Sequence, residues 1–197
     1  MHRIVFALLA FVAAASAQCS GGIPAGETRA FLSAHNSLRQ KISSGGYVAK
    51  GRRMPAARTP IPALKWDCGL EKSAQQWADR CSFTHSKSGN GENLYMMSAS
   101  NKLSFSGMGA KASASWANEF QEKGWPSVKL TSTLFNSGVG HATQMAWAKS
   151  TRIGCGMASC KGGKQVLVVC HYNPRGNFMN QNIYDPKSDG TSFIEYF

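Results

Sequence analysis

A helix followed by a hairpin of two strands is predicted from the stretch GHATQMAWAKSTRIGCG, residues 140–156, and its continuation VCHYNPRGNF, residues 169–178. The helix is expected at residues 140–149. Residues 153–158 and 166–172 are apolar, β-branched runs separated by a glycine pair, as in a hairpin. Continuous apolar runs of this kind are typical of strands that are buried on both faces. We therefore expect an antiparallel hairpin in a sheet that is covered on both sides.

Three further helices are predicted outside this stretch. Apolar residues recur at helical spacing in residues 28–42 and 70–81, and another helix is expected at about residues 110–122. The segment between the first of these helices and Pro62 is rich in Gly, Pro and Arg, which indicates an irregular surface segment rather than a domain linker. Helices around a small antiparallel sheet indicate an α+β layered domain.

Residues 1–17 have the pattern of a secretory signal peptide. His2 and Arg3 precede an apolar run, and Ala15-Ser16-Ala17 matches the small-x-small pattern at which such peptides are cleaved. No later stretch has enough consecutive apolar residues to cross a bilayer. We therefore expect a secreted, extracellular protein without a transmembrane segment, whose single domain covers residues 18–197.

The cysteine count is typical of an oxidising compartment. All six cysteines lie after the signal peptide, and an even number in an exported chain predicts three disulfides. Six cysteines allow fifteen different pairings, so the count alone selects none of them. Disulfide formation would leave no cysteine as a nucleophile. The six are Cys19, Cys68, Cys81, Cys155, Cys160 and Cys170.

The positive charge of the chain argues against a nucleic-acid partner. The formal charge is +12, yet charged residues make up only 16% of the sequence, so the excess comes from a shortage of acids. Four bases nevertheless fall close together, at Lys50, Arg52, Arg53 and Arg58. Outside the cell, such a segment makes acidic glycans a candidate partner.

The familiar catalytic motifs are missing from the sequence. It contains no Gly-x-Ser-x-Gly elbow, no His-Glu-x-x-His helix, no phosphate-binding Gly-rich loop and no Cys-x-x-Cys pair. Histidines and glutamates therefore remain as the candidates for chemistry.

Several motifs, in a consistent order, resemble those of the CAP superfamily, which groups cysteine-rich secretory proteins, antigen 5 venom allergens and plant pathogenesis-related proteins. The two opening stretches look like its signature blocks. The motifs are most similar to those of single-domain nematode members, the activation-associated or venom-allergen-like secreted proteins. It implies a three-layer α-β-α sandwich, the CAP or SCP domain. Supporting motifs are AHNSLRQKI (34–42), WDC (66–68), CSFTHS (81–86), GENLY (91–95), WANEF (116–120) and CHY (170–172).

The resemblance also implies a central cavity lined by His85, Glu92, Glu119 and His141. Imidazole nitrogens are good ligands for Zn²⁺, so His85 and His141 are the implied metal ligands, with the glutamates beside them. Two protein ligands are one fewer than a catalytic zinc site usually has, which predicts modest affinity and no assured catalytic residue. The family's signature has an aromatic residue where this chain has Ala142, a departure that affects the identity of the ligand more than the fold.

Each cavity residue also has a structural interpretation. Glu92 could cap a loop or helix, and Glu119 could pair with Lys123 on a solvated helix face. His85 could be held by its nearness to Cys81, and His141 could bond the turn at the start of its helix. Two other histidines, His35 and His171, are interpreted as buried structural residues.

The family's disulfide pattern implies Cys81 with Cys160, Cys155 with Cys170 across the hairpin, and Cys19 with Cys68. Such a scaffold favours a non-enzymatic extracellular effector or binding module, acting on host or neighbouring proteins, in immune modulation, or on a sterol or fatty acid. One alternative is a metal-dependent hydrolase that uses the His/Glu cavity. Another is a glycosaminoglycan-binding protein with a basic surface.

Overall fold

The computed structural model describes Cys19 and residues 22–187, so the predicted signal peptide lies outside the described residues. Five helices, six strands and one short 3₁₀ turn follow each other in this part of the chain. In order they are α1 (Ala25–Ser43), β1 (Val48–Ala49), β2 (Arg52–Arg53), β3 (Lys65–Trp66), α2 (Cys68–Ala78), β4 (Gly91–Ser98), α3 (Met108–Lys123), α4 (Ser132–Asn136), α5 (Gly140–Ala146), β5 (Arg152–Cys160), the 3₁₀ turn Lys161–Gly163, and β6 (Gln165–Asn173).

The central sheet has the strand order β3-β5-β6-β4. Strands β5 and β6 form the predicted antiparallel hairpin, β4 pairs antiparallel with β6, and β3 adds two residues parallel to β5. Helix α2 packs against β5 and β6, whereas α1, α3 and α5 form the other helical layer. The α+β, three-layer α-β-α fold expected from the sequence is therefore confirmed.

Two glycines of the opening stretch bring α2 into contact with β5. A Cβ atom added to Gly154 would lie 2.1 Å from the backbone nitrogen of Glu71, and one added to Gly156 would lie 2.4 Å from Cα of Gln75. Real side chains do not tolerate such distances, so only glycine lets the helix backbone lie this close to the strand. The Gly-Cys-Gly motif thus forms the part of β5 against which the backbone of α2 packs.

Helix ends differ from the predictions where caps and backbone angles decide them. Helix α2 begins at Cys68, because the Asp67 side chain accepts a hydrogen bond from the backbone N–H of Leu70 at 3.0 Å. It stops at Ala78 instead of Cys81, whose φ of +53° is incompatible with a right-handed helix. Helix α5 ends at Ala146 because Trp147 has an extended backbone.

The core contains three buried tryptophans and a buried arginine. Trp116, Trp125 and Trp147 are all buried. Arg39 of α1 is also buried, and its guanidinium donates to the carbonyl oxygens of four residues at 2.7–2.9 Å. These bonds tie α1 to the end of α5 and to the segment before β3. The four acceptors belong to Pro62, Met145, Trp147 and Ser150.

Three disulfides join Cys19 to Cys68, Cys81 to Cys160, and Cys155 to Cys170, the pairing that the family resemblance implies. The last one bridges directly opposite residues of the β5–β6 hairpin. The second ties the loop after α2 to the end of β5.

Within residues 22–187, no helix combines the length and apolar character needed to cross a membrane.

Candidate functional site

His85 and Glu92 form a hydrogen-bonded pair at the start of the edge strand β4. Nδ1 of His85 lies 2.7 Å from Oε1 of Glu92, and the backbone N–H of Ser86 donates to the same oxygen at 3.0 Å. The imidazole is 67% exposed, whereas the carboxylate is only 5% exposed. The pair therefore consists of a surface imidazole held by a buried anion.

Glu119 and His141 form the second pair, between α3 and α5. Oε1 of Glu119 lies 2.5 Å from Nδ1 of His141, while Oε2 accepts the backbone N–H groups of His141 at 2.9 Å and Ala142 at 3.0 Å. Glu119 thus caps the first turn of α5 instead of pairing with Lys123 on a solvated face. The His141 ring stacks on Trp116 with centroids 6.1 Å apart, and Ala142 is buried in the core.

The two pairs are connected through neighbouring residues of β4. Side chains alternate along a strand, so Glu92 contacts the α2 side of the sheet, and its neighbour Asn93 contacts the other side. Asn93 donates from Nδ2 to the carbonyl oxygen of His141 at 3.1 Å, which links the two halves of the site. Among the described residues, no direct hydrogen bond or ion pair joins His85–Glu92 to His141–Glu119.

His171 is a member of this site that sequence reasoning placed elsewhere. As expected, it is a buried histidine of β6, only 1% exposed, but its Nε2 lies 2.8 Å from Oε2 of Glu92. Its Nδ1 lies 2.7 Å from Oγ of Ser73 on α2. The sequence signal for this contact is the register that places Glu92 directly opposite His171, which requires knowing that β4 pairs with β6.

The hydrogen bonds around Glu92 stabilise its ionised form. Burial alone would raise the pKa of this carboxyl, but hydrogen bonds from His171, Ser86 and His85 outweigh it and lower the pKa to about 2. Glu92 is therefore a fixed negative charge at neutral pH.

His85 and His141 both use Nδ1 to bond a carboxylate, and no described residue bonds the Nε2 atom of either ring. A carboxylate at Nδ1 places the proton there and leaves the lone pair of Nε2 for a ligand, as in carboxylate–histidine–zinc arrangements. The donor chemistry therefore fits a borderline-soft divalent cation such as Zn²⁺. However, the described residues contain no cluster of three or more His, Cys, Asp or Glu that could bind a metal.

Two surface cavities differ in their relation to this site. One of about 600 Å³ borders His85 and Glu92. The other, of about 690 Å³, lies between residues 59–62 and 180–185, away from the histidines. The smaller one adjoins the candidate chemistry, so it is the relevant space for a ligand. Its wall includes Asn90, Phe135, Gln144, Arg175, Asn177 and Phe178.

Together, these features define a disulfide-stabilised α-β-α sandwich protein with two histidine–glutamate pairs next to an edge strand. The family model for CAP, the cysteine-rich secretory protein family, matches residues 32–172. The chain therefore belongs to the CAP family.

Relatives and solved structures agree with this assignment. Venom allergen 5 of Microctonus hyperodae is 35% identical over 162 residues, which cover 78% of this chain and 68% of the relative. Ancylostoma secreted protein of Ancylostoma caninum is 36% identical, with 78% of this chain and 38% of the relative covered. The structure of BmVAL-1 has a TM-score of 0.81 and 36% identity, covering 86% of this chain and 87% of the other. The crystal structure of NaASP2 with Zn²⁺ has a TM-score of 0.80 and 36% identity, covering 86% and 91%.

Proposed function

We propose that this chain is an exported, venom-allergen-like binding module that acts on extracellular proteins without catalysing a reaction. The observation that carries the proposal is the full engagement of both glutamates. Each oxygen of Glu92 and Glu119 already accepts at least one hydrogen bond from a histidine or a backbone N–H. Neither glutamate is therefore free to act as the general base that a hydrolase of this type would need beside its water, which favours a binding role.

The proposal includes export through the signal peptide at residues 1–17 and a single domain over residues 18–197. Three disulfides support an oxidising destination, because such bonds persist in extracellular compartments. They also restrict the unfolded chain, which suits a protein that must survive outside the cell.

A divalent cation, with Zn²⁺ as the first candidate, is the proposed ligand of His85 and His141. Their free Nε2 atoms support this assignment, and so does the likeness to NaASP2, whose structure was determined with Zn²⁺. With two imidazoles as the protein ligands, the other positions would belong to water or to a partner's side chain. The metal would then contribute to the binding surface next to the cavity.

A lipid partner has weaker support. Residues 103–108 and 128–135 are apolar stretches that could line a groove. They largely fill the interior instead: Leu103, Phe105 and Val128 pack against the core, and Leu130 and Leu134 are buried. A sterol or fatty acid would have to use one of the two surface cavities, of which the one beside Phe135 also borders His85. Protein partners therefore remain the principal expectation.

Calorimetric titration with Zn²⁺ tests the metal assignment. We expect the wild type to bind one ion and the His85→Ala/His141→Ala variant to bind none, because both free Nε2 ligands are removed. A matched control is His35→Gln, which alters a buried histidine outside the cavity. Equal affinity of the double variant and the wild type would overturn the assignment.

The same proteins separate binding from hydrolysis. Capture of extracellular partners should persist in the double variant if the surface is the functional part. Peptide or ester hydrolysis that copurifies with the wild type and disappears in the double variant would instead establish the hydrolase alternative.

A further inference from the structure

A continuous chain of hydrogen bonds runs from helix α2 to the exposed imidazole of His85. Oγ of Ser73 lies 2.7 Å from Nδ1 of His171, and Nε2 of His171 lies 2.8 Å from Oε2 of Glu92. Oε1 of Glu92 then lies 2.7 Å from Nδ1 of His85. Four side chains from a helix, two paired strands and a loop are thus connected end to end.

The inner part of this series of hydrogen bonds is rigid. Glu92 and His171 lie directly opposite each other on neighbouring antiparallel strands, and both side chains are almost completely buried. Ser73 is anchored by α2, where its hydroxyl also lies 3.1 Å from the carbonyl oxygen of Leu70. The outer end differs, because His85 is mostly exposed. The buried residues therefore fix the orientation of His85, and not the reverse.

The contact with His171 decides how the Glu92 carboxylate is oriented. A carboxylate can rotate about its terminal bond, but His171 holds Oε2 on the sheet side, which leaves Oε1 facing His85. Without His171, Oε2 would lose its short contact and depend on Ser86, whose backbone N–H lies 3.3 Å away and whose side chain also bonds the Glu92 carboxylate. Rotation to recover a better donor would remove Oε1 from His85.

We infer that His171, anchored by Ser73, is a positioning residue that orients Glu92 so that His85 keeps its proton on Nδ1 and presents a free Nε2 to the cavity. His171 itself touches neither the proposed metal nor a partner. The inference rests on the proposed function insofar as Nε2 of His85 is a ligand, but the tautomer of His85 can be read in the metal-free protein. Failure of one proposal is therefore distinguishable from failure of the other.

The test is ¹⁵N NMR of histidine-labelled, metal-free, disulfide-intact protein at about pH 8, where histidine side chains are ordinarily neutral. In the wild type we expect protonated Nδ1 and unprotonated Nε2 at His85, the reverse of the form that a free histidine side chain prefers in water. In His171→Phe we expect the Nε2–H form to become the major one. His171→Gln should restore the wild-type pattern in part, because a glutamine amide can donate to Oε2 of Glu92 in place of Nε2.

Two controls separate positioning from general damage. His141 belongs to the other pair, so its tautomer should stay unchanged in every variant and serve as an internal reference. His35→Gln changes a buried histidine that bonds Tyr172 and not Glu92, so the His85 signals should stay as in the wild type. If His171→Phe does not fold, Ser73→Ala still removes the innermost contact of the series and should raise the Nε2–H fraction of His85.

Titration with Zn²⁺ alone supplies a second readout. Loss of a side chain that orients a ligand costs about 10–100-fold in metal affinity, and we expect a decrease of that size for His171→Phe. A wild-type His85 that is mainly Nε2–H would overturn the inference. It would also be overturned by a folded His171→Phe variant that keeps the Nδ1–H form. If the wild type binds no zinc but shows the expected tautomers, the metal assignment fails and the positioning role stands.

Discussion

His35 is a neutral histidine enclosed in the core, and its two contacts define its protonation state. Nδ1 donates to the carbonyl oxygen of Phe31 at 2.8 Å, and Nε2 accepts from the hydroxyl of Tyr172 at 2.8 Å. Burial lowers the pKa of His35 to about 3, the hydrogen bond to Phe31 partly opposes this, and the nearby charge of Arg39 adds to it. The structural role expected for this histidine thus has a measurable electrostatic consequence.

Stability should depend on pH through His35 in a window above that of Glu92. The unfolded chain binds a proton at His35 below about pH 6.5, whereas the folded chain does not until about pH 3. The contribution of His35 to the free energy of unfolding is therefore fully present above pH 6.5. It falls with decreasing pH by up to about 1.4 kcal/mol per pH unit. His35→Gln should remove this part of the slope, measured by urea unfolding between about pH 5 and 7.

The carboxyl of Glu92 does not disturb that measurement. Because its pKa is lowered from 4.5 to about 2, its contribution to stability is lost only as the pH falls below 4.5. Parallel stability curves for wild type and His35→Gln between pH 5 and 7 would contradict the buried neutral state of His35.

At the scale of secondary structure, the contact of α2 with β5 depends on the glycines of the opening stretch. Gly156→Ala places a methyl group where backbone atoms of Gln75 and Ala74 already lie. We expect a loss of about 3 kcal/mol or more in the free energy of unfolding, because helix and strand must separate. Chemical denaturation of purified protein measures the change.

The matched control is Gly26→Ala, at the start of α1. A Cβ atom there meets nothing within 4 Å, so alanine should be neutral or stabilise by up to about 1 kcal/mol. Equal effects of the two substitutions would show that Gly156 acts through backbone entropy and not through the closeness of α2.

The elements with strong periodicity were predictable, and those without it were not. The four predicted helices and the hairpin occur near their expected positions, whereas the short α4 was not predicted. Strand β4 was not predicted, because Gly91–Ser98 mixes polar and apolar residues and depends on pairing with β6. Strand β3 has only two residues, and β1 and β2 lie in a segment interpreted as irregular.

The candidate site was predictable only through family motifs. His85, Glu92, Glu119 and His141 occupy four separate parts of the chain, and no local pattern brings them together. The role of His171 needed the register of two strands that are distant in sequence. The pairing of strands that are distant in sequence cannot be derived from a single sequence.

At the scale of the whole molecule, the β1–β2 hairpin concentrates part of the excess positive charge. Lys50, Arg52 and Arg53 are exposed on the β1–β2 hairpin, whereas Arg58 is paired with Asp185 at 3.1 Å. Exposed charges act together only within a Debye length, about 8 Å at physiological salt. The hairpin should therefore attract a polyanion more strongly than the same number of dispersed lysines.

Heparin chromatography at increasing salt can distinguish the effect of clustered charge on retention from the effect of net charge. We expect Lys50→Ala/Arg52→Ala/Arg53→Ala to elute at clearly lower salt than the wild type, because it removes a cluster that a sulfated glycan can span. The matched control is Lys72→Ala/Lys111→Ala/Lys149→Ala, which removes equal charge from exposed sites on α2, on α3 and before β5. If both variants elute together, retention follows net charge, and the hairpin is not a glycan site. A larger shift for the hairpin variant would make acidic glycans a partner that the protein binds independently of its His/Glu cavity.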